Sequence, residues 1–419
     1  MKISQLVSKT VKNIPSDEEA KNAQLLIKAG YIHKEMAGVY SYLPLGFIVL
    51  EKIKKIVREE MNSVGGQELM MSVLQPKDIW EKTDRWDDKK VDNWFKTKLV
   101  NGTEVGIGLT HEEPIVDSIS GYISSYKDFP KIVYQIQNKF RNELRAKSGL
   151  LRGREFVMKD MYSFARTSEE HEEVYETIVE AYQRVYDRLG LGKSTFRTYA
   201  DGGIFTSRFS DEFQTLSEIG EDEIYLDRQK KIAINKEIMT DENLKKLGLD
   251  RSKLETVKAI EVGNTFHLES KYTDALNVYY TDNSGNKKSI IMGCYGIGIS
   301  RLMGVLAEHF SDERGLNWPV NVAPYQVYLA YIGSDPEIKN KSDEIYLTLV
   351  KNGIEVIYDD REVSPSEKLT DADLLGIPIR VIVNQKTILD SVFEFKLRSE
   401  KSSVGISEKE LINKITQNI

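Results

Sequence analysis

Alternating apolar and polar positions mark one stretch near the middle of the chain. From residue 132 the apolar set is Ile132, Tyr134, Ile136 and Phe140, and the polar set is Gln135, Gln137, Lys139, Arg141 and Glu143. A period of two is typical of a strand with one face toward the core. The pattern predicts a strand over 132–143, a loop, and a returning strand over 154–164. Arg141 and Glu143 are expected to point the same way.

Cations are concentrated in this predicted hairpin, whose loop reads "RAKSGLLRG". Arginines occur on both strands and in the loop, and the ring of Phe156 follows directly. A solvated strand face is the plain alternative for charged residues of this kind. Guanidinium groups suit a polyphosphate, and a flat ring suits a base, so the hairpin is also a candidate nucleotide site.

A second pattern changes period within a few residues. Ile290–Met292 is apolar, Gly293, Gly296 and Gly298 follow, and apolar residues then recur at helical spacing from Ile299. The pattern predicts a strand, a glycine turn and a helix. The glycine order differs from a dinucleotide fingerprint, and close backbone packing is an equal alternative. Arg301 is predicted in the first helical turn, against the helix dipole, which indicates an anion held nearby.

A third stretch, "GLTHEEPIVDSISGYI" from Gly108, predicts the start of a helix. Thr110 and Glu113 have the spacing of a capping box, and Pro114 fits the first turn. This interpretation leaves Glu112 free to meet a cation.

Apolar periodicity also predicts the elements at both ends of the chain. A helical stripe consists of Phe47, Leu50, Ile53, Ile56, Val57, Met61 and Val64. After Pro324 the predicted order is strand, helix ended by Gly353, strand, short helix and strand, and a hairpin with a closing helix follows Val383. Alternation of this kind predicts a parallel-type sheet wrapped by helices.

Composition bounds the class of protein. The 419 residues carry a formal net charge of -7, and 40% are hydrophobic. This length predicts two or three domains. The single cysteine, Cys294, excludes an internal disulfide and a cysteine-based zinc site. The absence of a long apolar run or an apolar leader predicts no membrane association and a cytoplasmic location.

These stretches resemble the signature motifs of class II aminoacyl-tRNA synthetases, in the expected order. "YSYLPLGFIVLEKIKKIVREEM…SVLQP" resembles motif 1, "KFRNELR…GLLRGREF" motif 2 and "GCYGIGISRL" motif 3. "LTHEE", "MKDMYSF", "DERG" and "DADLLGIP" are similar to prolyl-tRNA synthetases of the bacterial kind. The resemblance covers nearly the whole chain.

The resemblance implies a ligase that activates proline with ATP and Mg²⁺ and transfers it to the proline tRNA, with no metal site built from protein groups alone. It implies a role for each matching residue. It assigns catalytic roles to Arg141 and Arg301, and ATP binding to Arg141, Glu143, Arg152, Phe156 and Arg301. It assigns proline binding to Thr110, Glu112, Arg141, Phe164 and Cys294. It assigns contact with the tRNA acceptor end to Arg145 and Lys147, and contact with the anticodon to Arg361, Lys368 and Asp373. For Cys294 a small buried filler is an equal alternative.

The resemblance also implies the architecture. The expected fold is an α+β catalytic domain on an antiparallel sheet (1–322), followed by a smaller α/β anticodon-binding domain (323–419). A strand over 69–76 is expected to build a homodimer interface. About forty residues, 220–261, occupy the position of an editing domain and are too few for an independent core.

Two positions depart from the family pattern. Ala165 and Asp211 stand where the family often has histidines, which the resemblance places near the proline pocket. Two other functions remain open at this point. One is an inactive paralogue that binds RNA or regulates another enzyme, against which the complete set of Arg141, Glu143, Arg152 and Arg301 argues. The other is a small-molecule ligase that uses no tRNA, against which the C-terminal domain argues.

Overall fold

A computed structural model describes residues 1–146, 148–203 and 205–419. The chain forms two compact units. The first unit comprises 1–53, 148–150 and 303–419, and the second unit comprises 54–147 and 151–302. Among the described residues, no helix combines the length and the apolar character needed to cross a bilayer. The predicted domain boundary near residue 322 stays a prediction.

The helices are α1 (Lys21–Lys28), α2 (Pro44–Ser63), α3 (Lys77–Glu81), α4 (Glu112–Ile119), α5 (Ser168–Arg188), α6 (Asp241–Leu247), α7 (Lys271–Ala275), α8 (Ile299–His309), α9 (Pro336–Lys351), α10 (Pro365–Leu375), α11 (Gln385–Asp390) and α12 (Glu408–Thr416). The strands are β1 (Ile32–Met36), β2 (Val39–Tyr42), β3 (Gln67–Glu68), β4 (Leu74–Pro76), β5 (Lys96–Lys98), β6 (Glu104–Ile107), β7 (Lys131–Phe140), β8 (Glu155–Ala165), β9 (Thr195–Ala200), β10 (Ser210–Leu216), β11 (Asp222–Asp227), β12 (Ile232–Asn235), β13 (Glu255–Glu269), β14 (Tyr279–Thr281), β15 (Lys287–Ser289), β16 (Ile291–Gly298), β17 (Val327–Tyr331), β18 (Val356–Asp359), β19 (Ile379–Val383), β20 (Val392–Leu397) and β21 (Val404–Ser407).

A nine-stranded sheet forms the centre of the second unit, in the order β10-β9-β12-β11-β13-β16-β8-β7-β3. Most neighbours are antiparallel, as predicted, but β3 pairs with β7 and β12 with β9 in parallel. Strand β13 pairs with both β10 and β11, so the strands from β9 to β13 close into a ring. Helix α5 packs its apolar side against this sheet and buries Tyr175, Ile178, Tyr182 and Val185.

The predicted basic hairpin is present as β7 and β8, but β7 is shorter than expected. It ends at Phe140, and the backbone N–H of Glu143 bonds the carbonyl of Arg141 at 2.8 Å. This turn directs Glu143 away from the strand, so the prediction of one continuous face through 143 was wrong. The polar face of β7 is also buried rather than solvated at Gln135 and Lys139.

The predicted glycine turn is instead a strand. β16 runs through Gly293 and Gly296 to Gly298, and α8 begins at the next residue. The reason for the glycines is close packing, because a Cβ at Gly293 would lie 2.3 Å from the Tyr295 hydroxyl. The alternative of tight backbone approach is therefore correct, and Arg301 does lie in the first turn of α8.

Helix α2 contains most of the predicted apolar stripe. Leu50, Ile53, Ile56, Val57 and Met61 are buried, whereas Phe47 is exposed and Val64 lies beyond the helix end. The expected strand over 69–76 is reduced to β3 and β4, two short pieces that belong to different sheets. The turn at Gly65, where φ is positive, separates α2 from β3.

The segment 220–261 forms no separate domain. Its strands β11 and β12 join the ring of the large sheet, and Ile224, Leu226 and Ala233 share a core with Phe196 of β9. Helix α6 completes the predicted pattern of short strands and a polar helix. The segment therefore extends the sheet, and it adds only a small buried cluster of Ile234, Ile238, Leu244 and Leu249.

The C-terminal part of the first unit is a five-stranded sheet in the order β18-β17-β19-β20-β21. The first three strands are parallel, as predicted, and β20 and β21 add to the edge in antiparallel fashion. Helix α9 ends with Gly353 in a left-handed conformation, and Gly376 ends α10 in the same way. Helix α11 precedes the predicted hairpin and was not expected.

Candidate active site

A buried arginine from the segment between α3 and β5 binds two carboxylates at the start of α4. One Arg85 guanidinium nitrogen contacts Glu112 at 3.0 Å and Glu113 at 3.0 and 3.1 Å. The same nitrogen lies 3.3 Å from the Tyr272 hydroxyl. All three charged side chains are almost completely buried. Glu112 therefore meets a cation, as expected, and that cation is Arg85 of the chain itself.

The Glu112 carboxylate is also held from the opposite side. The Thr110 hydroxyl contacts both of its oxygens, at 2.7 and 2.9 Å, and the Cys294 thiol lies 3.5 Å from Oε1. The predicted capping box is absent, because the helix N-cap is His111 and Glu113 bonds Thr83 instead. Thr110 thus orients a side chain rather than capping α4.

The two carboxylates respond oppositely to the same arginine. For Glu112, burial is the largest effect and would raise the pKa, but the charge of Arg85 and the hydrogen bonds from Thr110 and Arg85 together outweigh it, so the pKa lies below its usual range. For Glu113, burial dominates and raises the pKa, with the neighbouring charge of Glu112 acting in the same direction. A single guanidinium stabilises one charge well, so Glu112 is the charged partner and Glu113 is the one that takes a proton.

A second buried network lies on β7 and β8. The Lys139 ammonium contacts Asp160 at 2.8 Å and the Nδ1 atom of His111 at 2.6 Å. Asp160 also accepts hydrogen bonds from Gln135 at 2.9 Å and from the Tyr162 hydroxyl at 3.0 Å. Burial, followed by the charge of Lys139, lowers the pKa of His111 to about 4, so its ring is neutral. The network fixes Tyr162, whose hydroxyl lies 3.5 Å from Glu112.

Arg141 lies at the end of β7 beside a ring. Its guanidinium carbon is 5.3 Å from the centre of the half-buried Phe156 ring. Burial lowers the pKa of Arg141, and the charge of Arg301 is the next cause, so two guanidinium groups face one region. Arg301 is paired with Glu261 at 3.0 Å, but two cations directed at one region still favour an anion there.

Glu143 and Arg152 form a pair across the motif 2 loop. Arg152 contacts one Glu143 oxygen at 3.0 and 3.1 Å, and the amide of Asn93 donates to the other at 3.3 Å. A second guanidinium nitrogen of Arg152 lies 3.6 Å from Glu221. Arg152 is half exposed, so its guanidinium is open to a ligand on one side.

Arg301 is held by the chain itself. Its guanidinium donates to the Leu151 carbonyl at 2.8 Å and to the Glu261 carbonyl at 2.7 Å, and it contacts the Glu261 carboxylate at 3.0 Å. Asn264 donates to the other Glu261 oxygen at 2.8 Å. Arg301 therefore has a fixed direction, which a phosphate site requires.

The remaining residues expected to bind proline lie close to Glu112. Cys294 and Phe164 are buried and share a hydrophobic cluster with Tyr162 and Met292. Burial raises the pKa of the Cys294 thiol, with Glu112 as the next cause, so the thiol is uncharged. Cys294 is both a buried filler and a wall of the space around Glu112.

The two unusual positions lie on the other face of the sheet. Asp211 accepts from the Tyr175 hydroxyl of α5 at 2.8 Å and contacts Arg197 at 2.7 Å. Ala165 shares the face of Ser163, which bonds Tyr295 rather than the Glu112 region. The expectation that these positions border the proline pocket was wrong, because strand alternation turns both toward α5.

The three residues expected at the anticodon have different surroundings. Arg361 contacts Asp359 at 2.7 and 2.8 Å and Asp371 at 2.8 Å. Lys368 is 2% exposed, and its ammonium donates to two carbonyls, so this geometry gives no support to contact with a base. Asp373 lies among arginines, 3.7 Å from Arg380.

The residues expected at the tRNA acceptor end are in the motif 2 loop. Arg145 is exposed and lies beside the exposed side chain of Leu144. Lys147 falls outside the residues that the structure describes. An exposed loop cation is suited to a phosphate backbone.

Sequence reasoning missed Arg85, Lys139, Asp160 and Glu261 as members of the site. Lys139 was visible on the polar face of the predicted strand, and Asp160 lies within the "MKDMYSF" motif. Arg85 had a weaker signal, a lone arginine within the tryptophan-containing stretch 80–94. No periodicity connects Arg85 with Glu112, because their contact depends on the fold.

Two family models match the chain. The class II core domain of the G, H, P, S and T tRNA synthetases matches residues 95–310. An anticodon-binding domain matches residues 326–418. The first match contains every residue described around Glu112 and Arg141 except Thr83, Arg85 and Asn93.

Curated relatives match over the full chain. The proline–tRNA ligase of Anaplasma phagocytophilum is 36% identical, with 99% of this chain and 100% of the relative covered. That of Ehrlichia ruminantium is 34% identical, with 99% of each covered. The Thermotoga neapolitana ligase is 31% identical, with 97% and 96% covered, and its alignment extends over 555 positions. That length far exceeds the 419 residues here, so this relative carries a long segment that the chain lacks.

A solved structure has the same fold. The prolyl-tRNA synthetase of Cryptosporidium parvum, crystallised with halofuginone and AMPPNP, superimposes with a TM-score of 0.79 at 19% identity. The alignment covers 94% of this chain and 76% of that one.

Proposed function

The chain belongs to the proline–tRNA ligases, a family of class II aminoacyl-tRNA synthetases, and from this membership we propose how its own residues perform the reaction. The enzyme activates proline with ATP and transfers the prolyl group to the proline tRNA. The residue assignments rest on one observation, a region that contains both cationic side chains and a buried carboxylate. The charges of Arg301 and of the buried Glu112 carboxylate both act on Arg141, so cations and a carboxylate share this region.

The cations serve the ATP step. The proline carboxylate attacks the α-phosphorus, and pyrophosphate leaves. The nucleophile is already an anion, so positioning and charge neutralisation are the main requirements. Arg141 bridges the α-phosphate and the proline carboxylate, while Arg152 and Arg301 bind the γ-phosphate. Glu143 accepts from the adenine amino group, and Phe156 stacks on the ring, which requires the Arg152–Glu143 pair to rearrange.

The carboxylate serves proline recognition. The secondary ammonium of proline donates to Glu112 and to the Thr110 hydroxyl, and Cys294 and Phe164 close the apolar side of the space. Arg85 and the proline ammonium are then two cations for two carboxylates. Binding of proline therefore adds a second cation beside the pair, which favours loss of the proton from Glu113.

Mg²⁺ enters with the nucleotide. Among the described residues, no three His, Cys, Asp or Glu side chains converge in a way that could hold a metal ion. Mg²⁺ commonly keeps several waters and binds through substrate phosphates and one or two carboxylates, which fits this donor set. Glu261, beside Arg301, is the carboxylate that would contact it. The ion would neutralise charge on the phosphates.

The remaining proposals concern assembly and location. We propose a homodimer in which the segment 69–76 meets its copy, supported by the exposed side chains of Met70 and Leu74. Arg361 and Asp373 are proposed to face the anticodon. The reaction is proposed to take place in the cytoplasm.

ATP–pyrophosphate exchange with each amino acid in turn tests the activity. Exchange above background with proline, and much weaker exchange with the others, is the expected result. Exchange driven best by another amino acid, or by none, would contradict it.

Arg145→Ala is expected to slow prolyl transfer to tRNA about tenfold, because one charged contact to the acceptor end is lost. Adenylate formation should stay close to wild type. Single-turnover transfer from preformed adenylate, beside pyrophosphate exchange, measures the two steps separately. Arg251→Ala, which also removes an exposed arginine of the second unit, is the matched control. An equal loss in both steps would assign the loop to ATP.

Preformed alanyl-tRNA bearing the proline anticodon is expected to keep its ester when the enzyme is added. A pocket discriminates against a smaller substrate only by lost contacts, about 1 to 3 kcal/mol for each methylene-sized group, so some alanyl-tRNA forms. Segment 220–261 is built into the ring of the large sheet and forms no separate domain, although Leu226, Asp227, Arg228, Gln229, Lys253 and Glu255 line a cavity of about 240 Å³. Ester loss followed by acid precipitation is the measurement. Hydrolysis well above the spontaneous rate, in preparations free of contaminating hydrolases, would demonstrate an editing site. An Arg301→Ala preparation purified in parallel serves as the control for such contaminants.

A further inference from the structure

Four cationic side chains meet on the C-terminal sheet of the first unit. Arg380 of β19 and Lys396 of β20 are directly opposite each other across the two strands. Arg398 follows β20, and Arg314 comes from the segment after α8. Like charges placed opposite each other destabilise a sheet unless anions compensate them.

The acidic residues nearby satisfy only part of this cluster. Asp312 binds Arg398 at 2.6 and 2.8 Å and Arg314 at 2.8 Å. The Asp373 carboxylate is looser, because its contacts to Arg380, Arg314 and Arg398 are 3.7, 3.8 and 3.9 Å. These distances exceed a hydrogen bond, which leaves room for an intervening oxygen.

Lys396 is the side chain without a partner. It is 7% exposed, and among the described residues its ammonium has no hydrogen bond or ion pair. The Nε atom of Arg380, its cross-strand neighbour, is also buried without a hydrogen-bond acceptor. Burial lowers the pKa of Lys396, and the charge of Arg380 is the next cause. Buried donors are normally satisfied, so the Arg380 Nε atom, with the unpaired Lys396 opposite it, indicates a missing acceptor.

A small cavity lies where that acceptor would sit. Its volume is about 10 Å³, and its walls include Asp373, Arg380, Lys396 and Arg398. This is the space of one oxygen atom. Four cations face three nearby acids, the third being Glu394 at 3.8 Å from Arg380, so the cluster has one positive charge in excess.

We propose that this cluster, termed the Lys396 site, binds a phosphate group, with one oxygen in the cavity between Lys396 and Arg380. A guanidinium fork and an ammonium together suit a tetrahedral oxyanion better than a neutral ligand. The incoming oxygen takes the place of the loose Asp373 contacts. The phosphate belongs either to the backbone of bound tRNA or to free inorganic phosphate. The tRNA source rests on the proposed function.

The first arm of the test measures tRNA charging. Lys396→Met is expected to raise the KM for proline tRNA about tenfold. It should also reduce the slope of log KM against log salt by about one, because one phosphate contact is lost. Lys386→Met removes an exposed lysine of α11, the helix that precedes β20, and is the matched control. Removing a buried charge among three arginines should leave the fold intact, which thermal unfolding verifies.

The second arm uses inorganic phosphate without tRNA. If the site takes free phosphate, inorganic phosphate at about 10 to 100 times its dissociation constant should raise the unfolding temperature of wild type and of Lys386→Met. The unfolding temperature of Lys396→Met should not rise. A change in the tRNA arm assigns the backbone phosphate, and a change only in the second arm assigns free phosphate. Wild-type behaviour of Lys396→Met in both arms overturns the proposal.

The activation step separates this proposal from the proposed function. The Lys396 site lies in the first unit, and every residue proposed for proline activation lies in the second. Proline-dependent pyrophosphate exchange should therefore be the same in Lys396→Met and wild type. Loss of exchange in wild type would reject the proposed function, whereas an unaltered variant in both arms rejects only the Lys396 site.

Discussion

Arg301→Ala is expected to slow proline-dependent ATP–pyrophosphate exchange at least a hundredfold, a loss of about 3 kcal/mol of transition-state stabilisation. The guanidinium is aimed by the Leu151 carbonyl and by Glu261, so its charge is in place before ATP binds. The variant also leaves the Glu261 carboxylate without its cation in a region that must receive phosphates. Both effects weaken binding of the γ-phosphate.

The fold should survive this substitution, because Arg301 is partly exposed and its acceptors can bond water. Arg184→Ala is the matched control, because it removes a partly exposed arginine of α5 that pairs with Glu60. Neither residue belongs to the proposed site. Exchange by Arg301→Ala at the wild-type rate, in a folded protein, would falsify the assignment of the γ-phosphate site.

Arg85→Met is expected to lower kcat/KM for proline more than a hundredfold and to reduce the free energy of unfolding by about 3 to 5 kcal/mol. Breaking a buried ion pair by removing one partner leaves an uncompensated charge, which is costly. Here two buried carboxylates, Glu112 and Glu113, lose the same cation. Glu112 also loses the contact that opposes its bond to Thr110, so the proline site is no longer aligned.

The stability loss should depend on pH. Without Arg85, burial raises the pKa of both carboxyl groups, so the folded state holds protons that the unfolded chain releases above about pH 4.3. The unfolding free energy of the variant then falls as the pH rises. Denaturant titrations at pH 5 and pH 8 should give the smaller deficit at pH 5.

A double variant separates charge from alignment. Arg85→Met combined with Glu113→Gln removes one of the two unpaired carboxylates and should recover part of the stability at pH 8. Proline activation should stay low, because Glu112 remains without its cation. If Arg85→Met alone matches wild type in both stability and activity, Arg85 has no part in the site.

Several elements were predictable because their signals are local. The period of two in β7 and β8, the helical spacing after Gly298 and the left-handed glycines after α9 and α10 depend only on nearby residues. The motifs that resemble class II synthetases are also local, and the family matches agree with them. Arg301 was placed correctly in the first turn of α8 for this reason.

Other predictions failed because a sequence pattern does not specify which partner a side chain has. The Thr110 and Glu113 spacing fits a capping box, but the fold brings Arg85 to both glutamates, and a buried ion pair outweighs a helix cap. Asp211 and Ala165 were assigned to the pocket, yet their faces depend on the register of β10 and β8. Lys368 reads as a surface cation, but α10 turns it inward onto two carbonyls.

The sequence by itself determined the class of enzyme, the elements around its motifs and most of the cations proposed for the ATP step, because these follow from short-range periodicity and contiguous motifs. Only the tertiary structure decided how the charges are paired. The paired residues are far apart in the sequence, as Arg85 and Glu112 or Lys139 and His111 are. Lys396 has no partner, although Arg380 lies opposite it on the neighbouring strand. Such pairings depend on burial and register, and these are properties of the folded chain.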